Sequence, residues 1–259
     1  MRYAAQLFTV RDFCRTGSDL HETLRKIADL GYEGVQVSAV DAFLTEVSAE
    51  QLRVWLDDLD MKCCATHRPW ERFVNNLDEE IDIHKTLGCK VLGLGMAPKE
   101  CFEGGPTAWR NWLVKVNEIV ENLAAQDLFF GYHNHAIEFE KRDGERAFDI
   151  LTSESSEEMR FILDTYWVVH AGADCVDWIQ QLRGRLKVVH LKDKAVVGWE
   201  TRYAPVGEGN LGWHSILPAL EDAGTKWGVV EQDDCYGEDP FDCLDRSQRY
   251  LKSAAKLDF

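Results

Sequence analysis

Leu128-Phe129-Phe130-Gly131-Tyr132-His133-Asn134-His135-Ala136-Ile137-Glu138-Phe139-Glu140 decides how this chain is read. Three apolar residues are followed at once by two histidines, an asparagine and two carboxylates. Such side chains bind metals, move protons and orient hydroxyls, and together they are too costly to bury without partners. The stretch therefore predicts a buried strand that ends at a polar site.

Working outward, the same alternation of apolar strand and helix recurs. Upstream, Trp109, Trp112, Leu113, Val116, Ile119, Val120 and Leu123 fall on one helical face. Before that helix, Val91, Leu92 and Leu94 form a strand broken by Gly93 and Gly95. Met61 to Thr66 is a strand running into His67, and Ile81, His84, Leu87 and Gly88 make the helix after it. Ser48 with Gln51 is a capping-box pattern. Nearer the start, Met1 to Val10 holds a first strand containing Gln6, and Gly34 to Val40 a second. Downstream, Phe161-Ile162-Leu163-Asp164, Leu186 to His190 and Trp227 to Glu231 are strands, with a Gly-rich loop (Gly198, Gly207, Gly209, Gly212) before the last.

Eight strand-then-helix units across 259 residues, about 32 residues each, predict a (β/α)8 TIM barrel of the usual size. An open doubly wound sheet rarely needs eight such even units. The chain shows no linker or repeat, so one domain over residues 1–259 is expected.

With 29 Lys+Arg against 45 Asp+Glu the net charge is −16, which opposes polyanions, so nucleic acid is not expected as a partner. The eight cysteines contain no CxxC pair and read as reduced thiols of a cytoplasmic protein. No uncharged apolar run approaches the roughly 20 residues that span a bilayer, so no membrane association is expected.

In a barrel the C-terminal ends of the strands open onto one face, which holds the active site. The strand ends here carry Gln6, Gln36, His67, then His133, His135 and Glu138, then Asp164, His190 and Glu231. Any one of them could merely satisfy a loop, but successive strands each ending in a ligand-type residue point to a metal site. Ligands drawn from Glu138, Asp164, His190 and Glu231 form an oxygen-dominated set, favouring Mn²⁺, Mg²⁺ or Co²⁺ and leaving Zn²⁺ open. Such an ion would act as a Lewis acid on the carbonyl of a sugar and stabilise an enediolate. Glu138, Glu231, His133 or His135 could move the proton, and Lys192, on the same side of its strand as His190, could hold an oxyanion. Gln6, His67 and Trp167 are expected on the substrate-binding wall, Trp167 as a plate for an apolar sugar face. His170 falls in a loop after the sixth strand.

Tyr132-His-Asn-His with Glu138, Asp164-Thr-Tyr-Trp, His190-Leu-Lys-Asp, Val206-Gly-Glu-Gly and Val230-Glu-Gln-Asp resemble the sugar phosphate isomerase/epimerase family of the xylose isomerase-like TIM-barrel superfamily. The likeness is specific over about residues 128 to 251. It implies a divalent metal held by Glu, Asp, His and Glu, with Asp164, His190 and Glu231 as three of the ligands, and aldose–ketose isomerase, epimerase or dehydratase chemistry on a sugar or cyclitol. The chain departs from the ketose 3-epimerase pattern in three places. Gly131 stands where the first Glu belongs, Trp167 where a His follows the Asp, and Val196 where an Arg follows the His. Glu138 is then the nearest carboxylate, with His133 and His135 as alternative ligands, and an inosose dehydratase-like reaction becomes the second expectation. A DNA-repair endonuclease on the same fold and a non-catalytic sugar-binding barrel are the readings from other classes. A homo-oligomer is compatible with all of these.

Overall fold

The computed structural model describes residues 1–254. Eight parallel strands close on themselves: β1 (Arg2–Gln6), β2 (Gly34–Val37), β3 (Lys62–Arg68), β4 (Val91–Leu94), β5 (Phe129–His133), β6 (Arg160–Asp164), β7 (Val188–Leu191) and β8 (Trp227–Val230). Each pairs with its neighbours in sequence, and β8 pairs back onto β1 with Trp227 opposite Arg2. Helices lie between the strands, so the fold is the (β/α)8 barrel expected from the spacing.

Apolar residues pack in two zones because strand side chains alternate in direction. Ala4, Cys64, Val91, Ile162, Val188 and Val229 form one cluster, on strands from around the barrel. A larger cluster joins the alternate strand residues, such as Phe130 and Leu163, to helix faces carrying Leu24, Val116 and Leu220. The helix signals in the sequence work locally as read. The Ser48 hydroxyl accepts from Gln51 N at 3.2 Å at the start of Ala49–Asp58, and Gly88 ends Leu77–Leu87 at φ +65°.

Four local expectations change. The first strand stops at Gln6, whose side chain accepts from Phe8 N and turns the chain into a 3₁₀ segment, Leu7–Phe13. Gly93 does not break β4. It lies opposite Gly131 in the β4–β5 register, where a Cβ would sit 2.8 Å from His67 Cδ2 and 2.9 Å from Ile162 Cδ1. The glycine is therefore a space requirement. His170 closes a short helix, Thr165–His170, and the Gly-rich segment contains an antiparallel hairpin, Asp193–Val197 with Glu200–Ala204.

Candidate metal centre

Because β5 to β8 end at the same level, four side chains meet above the lumen. His133 Nε2 lies 3.3 Å from Asp164 Oδ2, and His190 Nδ1 lies 3.6 Å from that oxygen and 2.9 Å from Glu231 Oε2. One ligand atom from each of His133, Asp164, His190 and Glu231 falls within 4.8 Å of all the others, and all four residues are buried.

Glu138, expected in this set, lies outside the group, and strand parity is the reason. Gly131 and His133 point into the barrel, whereas Tyr132 points out and packs edge-on against Trp109 and Trp112. Glu138 follows Tyr132: its Oε1 accepts from the Tyr132 hydroxyl at 2.7 Å and its Oε2 from His135 N at 2.9 Å. It pins the loop after β5 and is not among the four grouped residues, and His133 stands there instead. Gly131 supplies no side chain, and a Cβ there would lie 2.9 Å from Val91 Cγ1, so a larger residue would require that neighbour to shift. The group that could hold a metal has two imidazoles and two carboxylates, less oxygen-dominated than expected.

Two of the four, Asp164 and His190, are held from behind. Asp164 Oδ1 accepts from Trp167 N at 3.0 Å, and Asn134 Oδ1 accepts from Asp164 N. His190 Nε2 donates to Gln36 Oε1 at 2.7 Å, which leaves the Nδ1 lone pair facing two carboxylates without a hydrogen bond. A neutral imidazole so placed needs a proton or a cation between it and those carboxylates. Burial alone would lower the affinity of His190 for a proton, but Glu231 and Asp164 outweigh it and raise its pKa to about 9. This arrangement fits a divalent ion, with the Gln36–His190 hydrogen bond as the outer support that fixes the ligating nitrogen.

Lys192 is fully buried, with Nζ 3.2 Å from Glu231 Oε2, 3.6 Å from Asp164 Oδ2 and 2.6 Å from Asp233 Oδ1. Burial disfavours its charge, yet Glu231, Asp164 and Asp233 raise its pKa, so it is an ammonium. Asp233 is a residue that the sequence reading missed. It lies two positions past Glu231, the same parity that placed Lys192 beside His190, and burial together with Glu231 raises its pKa. Asp164 and Glu231 stay ionised despite burial, Lys192 being the largest charge holding them so.

These groups open into a cleft of about 570 Å³ whose walls include His67, His135, Trp70 and Met96. Among the described residues His67 Nε2 has no partner, and burial together with the neighbouring His133 keeps it neutral. Neither Gln6, which is wholly buried, nor Trp167 is on the cleft wall; Trp167 packs against His135 and under Lys192 Nζ at 5.2 Å. Glu138, Gln6 and Trp167 thus act behind the site, while His67, His133, His135, Lys192 and Glu231 line it. No described helix is long and apolar enough to cross a membrane, and all eight cysteines are free thiols.

The fold and the convergent strand-end residues define an enzyme-type (β/α)8 barrel. The chain belongs to the xylose isomerase-like TIM barrel family, whose model matches residues 24–254. Its fold is similar to a sugar phosphate isomerase/epimerase from Parabacteroides distasonis (TM-score 0.78, 21% identity, 100% of this chain and 99% of that one). It is also similar to a probable 3-DHS dehydratase from Bacillus anthracis (0.75, 14%, 97% and 99%) and to an L-ribulose 3-epimerase (0.74, 15%, 98% and 94%). No match is found among curated protein sequences.

Proposed function

We propose that this protein is a divalent-metal-dependent enzyme that moves a proton beside the carbonyl of a sugar or related polyhydroxylated molecule, as an isomerase or epimerase. The observation that carries the reading is the meeting of His133, Asp164, His190 and Glu231 with a buried ammonium, Lys192, at the mouth of a cleft. An ion bound by the four, Mn²⁺, Co²⁺ or Zn²⁺ by the mixed N/O set, would supply Lewis acidity to the carbonyl. Lys192 stabilises the negative charge that develops on the substrate oxygen. His67, neutral and with Nε2 unpartnered, and His135 on the same wall are placed to accept and return the proton. The small-molecule substrate is supported by the family and by the cleft volume, and folds of this shape include an L-ribulose 3-epimerase.

Gly131 favours a second reading, dehydration of a keto-sugar or inosose. Without a carboxylate at Gly131, the cleft wall beside the four offers His67 and His135, which suit removal of a proton and protonation of a departing β-hydroxyl. Incubating the Mn²⁺-loaded enzyme with keto-sugars and inososes in D₂O separates the two. Deuterium at the α-carbon without loss of water marks isomerisation or epimerisation, loss of water marks dehydration, and neither with any substrate overturns both.

A further inference from the structure

The opposite end of the barrel carries a second cleft. Six of the eight strands begin on, or one residue after, a basic side chain: Arg2, Lys62, Lys90, Arg160, Lys187 and Lys226. In a chain of net charge −16 this is a concentration of basic residues at one end of the barrel. Five of the six, all but Arg160, line a cleft of about 330 Å³. Its walls also include Cys63, Cys64, Val91, Phe129, Val188 and Trp227, and the Arg2 guanidinium lies 4.0 Å over the Trp227 ring.

A ring of basic residues at strand starts would by itself serve solubility, since charges flank apolar strands to keep them from pairing wrongly. Two features go beyond that. The ring surrounds a cleft with an apolar floor, of a size at the low end for small-molecule sites. Its charges are also unevenly compensated. Arg2, Lys62 and Lys90 pair with Glu33, Asp57 and Asp127, and Arg160 with Glu158, whereas Lys187 and Lys226 have no ion pair among the described residues. These two immediately precede adjacent strands, Lys226 N donating to Lys187 O at 3.1 Å. Like charges side by side across strands are destabilising, and an anion between them would offset the repulsion.

We propose that this basal cleft binds a small organic phosphate, the phosphate between Lys187 and Lys226 and the apolar part over Cys64, Val91 and Val188. The site stands apart from the strand-end cleft and does not depend on the metal reading. Adenosine 5′-monophosphate is the probe, titrated calorimetrically into full-length protein stripped of metal by chelator. The expected result is a Kd of about 1 mM or tighter, weakening as salt rises. Lys187→Glu with Lys226→Glu, both lysines being solvent-accessible, should weaken binding at least about tenfold, and Lys226→Gln alone by less. Asp164→Asn should leave it unchanged, and inorganic phosphate should bind more weakly than the nucleotide. The proposal is overturned by absence of binding at millimolar nucleotide, by equal affinity in the lysine variants, by loss of binding in Asp164→Asn, or by inorganic phosphate binding as tightly.

Discussion

Two neighbouring acids of the β5–β6 region have different jobs although both are buried. Asp164 presents Oδ2 to the ligand cluster, while both Glu138 oxygens are consumed by Tyr132 and by the backbone of His135. Asp164→Asn should therefore abolish metal binding, measured by equilibrium dialysis. Glu138→Gln should keep one bound ion per chain and cost about 1 to 2 kcal/mol in a denaturant melt. Loss of the ion in Glu138→Gln would return that residue to the ligand set. The meeting of Asp164, His190 and Glu231 was legible in the sequence because each ends an apolar run. His133 in place of Glu138 was legible only through the two-residue alternation of β5, which puts His133 on the same face as Gly131 and sends Tyr132, with Glu138 behind it, to the other. The same rule from Glu231 finds Asp233. That Gly93 and Gly131 are space requirements was not legible, because it depends on Ile162 reaching across from β6.

At the scale of elements, the segment after β7 is what fixes Lys192. The buried Asp193 carboxylate accepts from Lys194 N, Gly207 N, Gly209 N, Leu211 N and the Trp213 indole, so the Gly-rich loop is wrapped around it. Thr165 Oγ1 ties the Lys192 backbone to the helix that follows β6. Asp193→Ala strands those donors and should cost about 3 kcal/mol or more. It should also lower turnover through misplacement of Lys192 while metal affinity is little changed. A melting temperature equal to that of the parent would contradict the role. Glycine spacing marked this segment as a loop, but the hairpin Asp193–Ala204 within it escaped, because Val196, Val197 and Trp199 are exposed and carry no burial pattern.

For the whole molecule, the closed barrel was legible because eight units each carry their own strand run and helix face, and the structure differs mainly at boundaries such as Gln6. Its acid response was less so. His84 was read only as a helix residue, yet it is wholly buried between helix Leu77–Leu87 and β3, its Nδ1 donating to Glu80 O and its Nε2 accepting from Thr66 Oγ1. Burial depresses its pKa from 6.5 to about 4. The unfolded chain therefore takes up a proton below pH 6.5 that the folded chain refuses, so stability present above that pH is lost as pH falls toward 4, by about 3 kcal/mol. Thermal melts over this window should fall less steeply for His84→Gln than for the parent, and identical slopes would contradict the assignment.

All of these scales meet at the four residues closing the ends of β5 to β8. The most direct measurement is a calorimetric titration of Mn²⁺ into chelator-stripped protein. One ion per chain should bind, with a rise in melting temperature, and binding should vanish in Asp164→Asn and Glu231→Gln variants that remain folded. Absence of metal uptake by the parent protein, or uptake unchanged in both variants, would contradict the account.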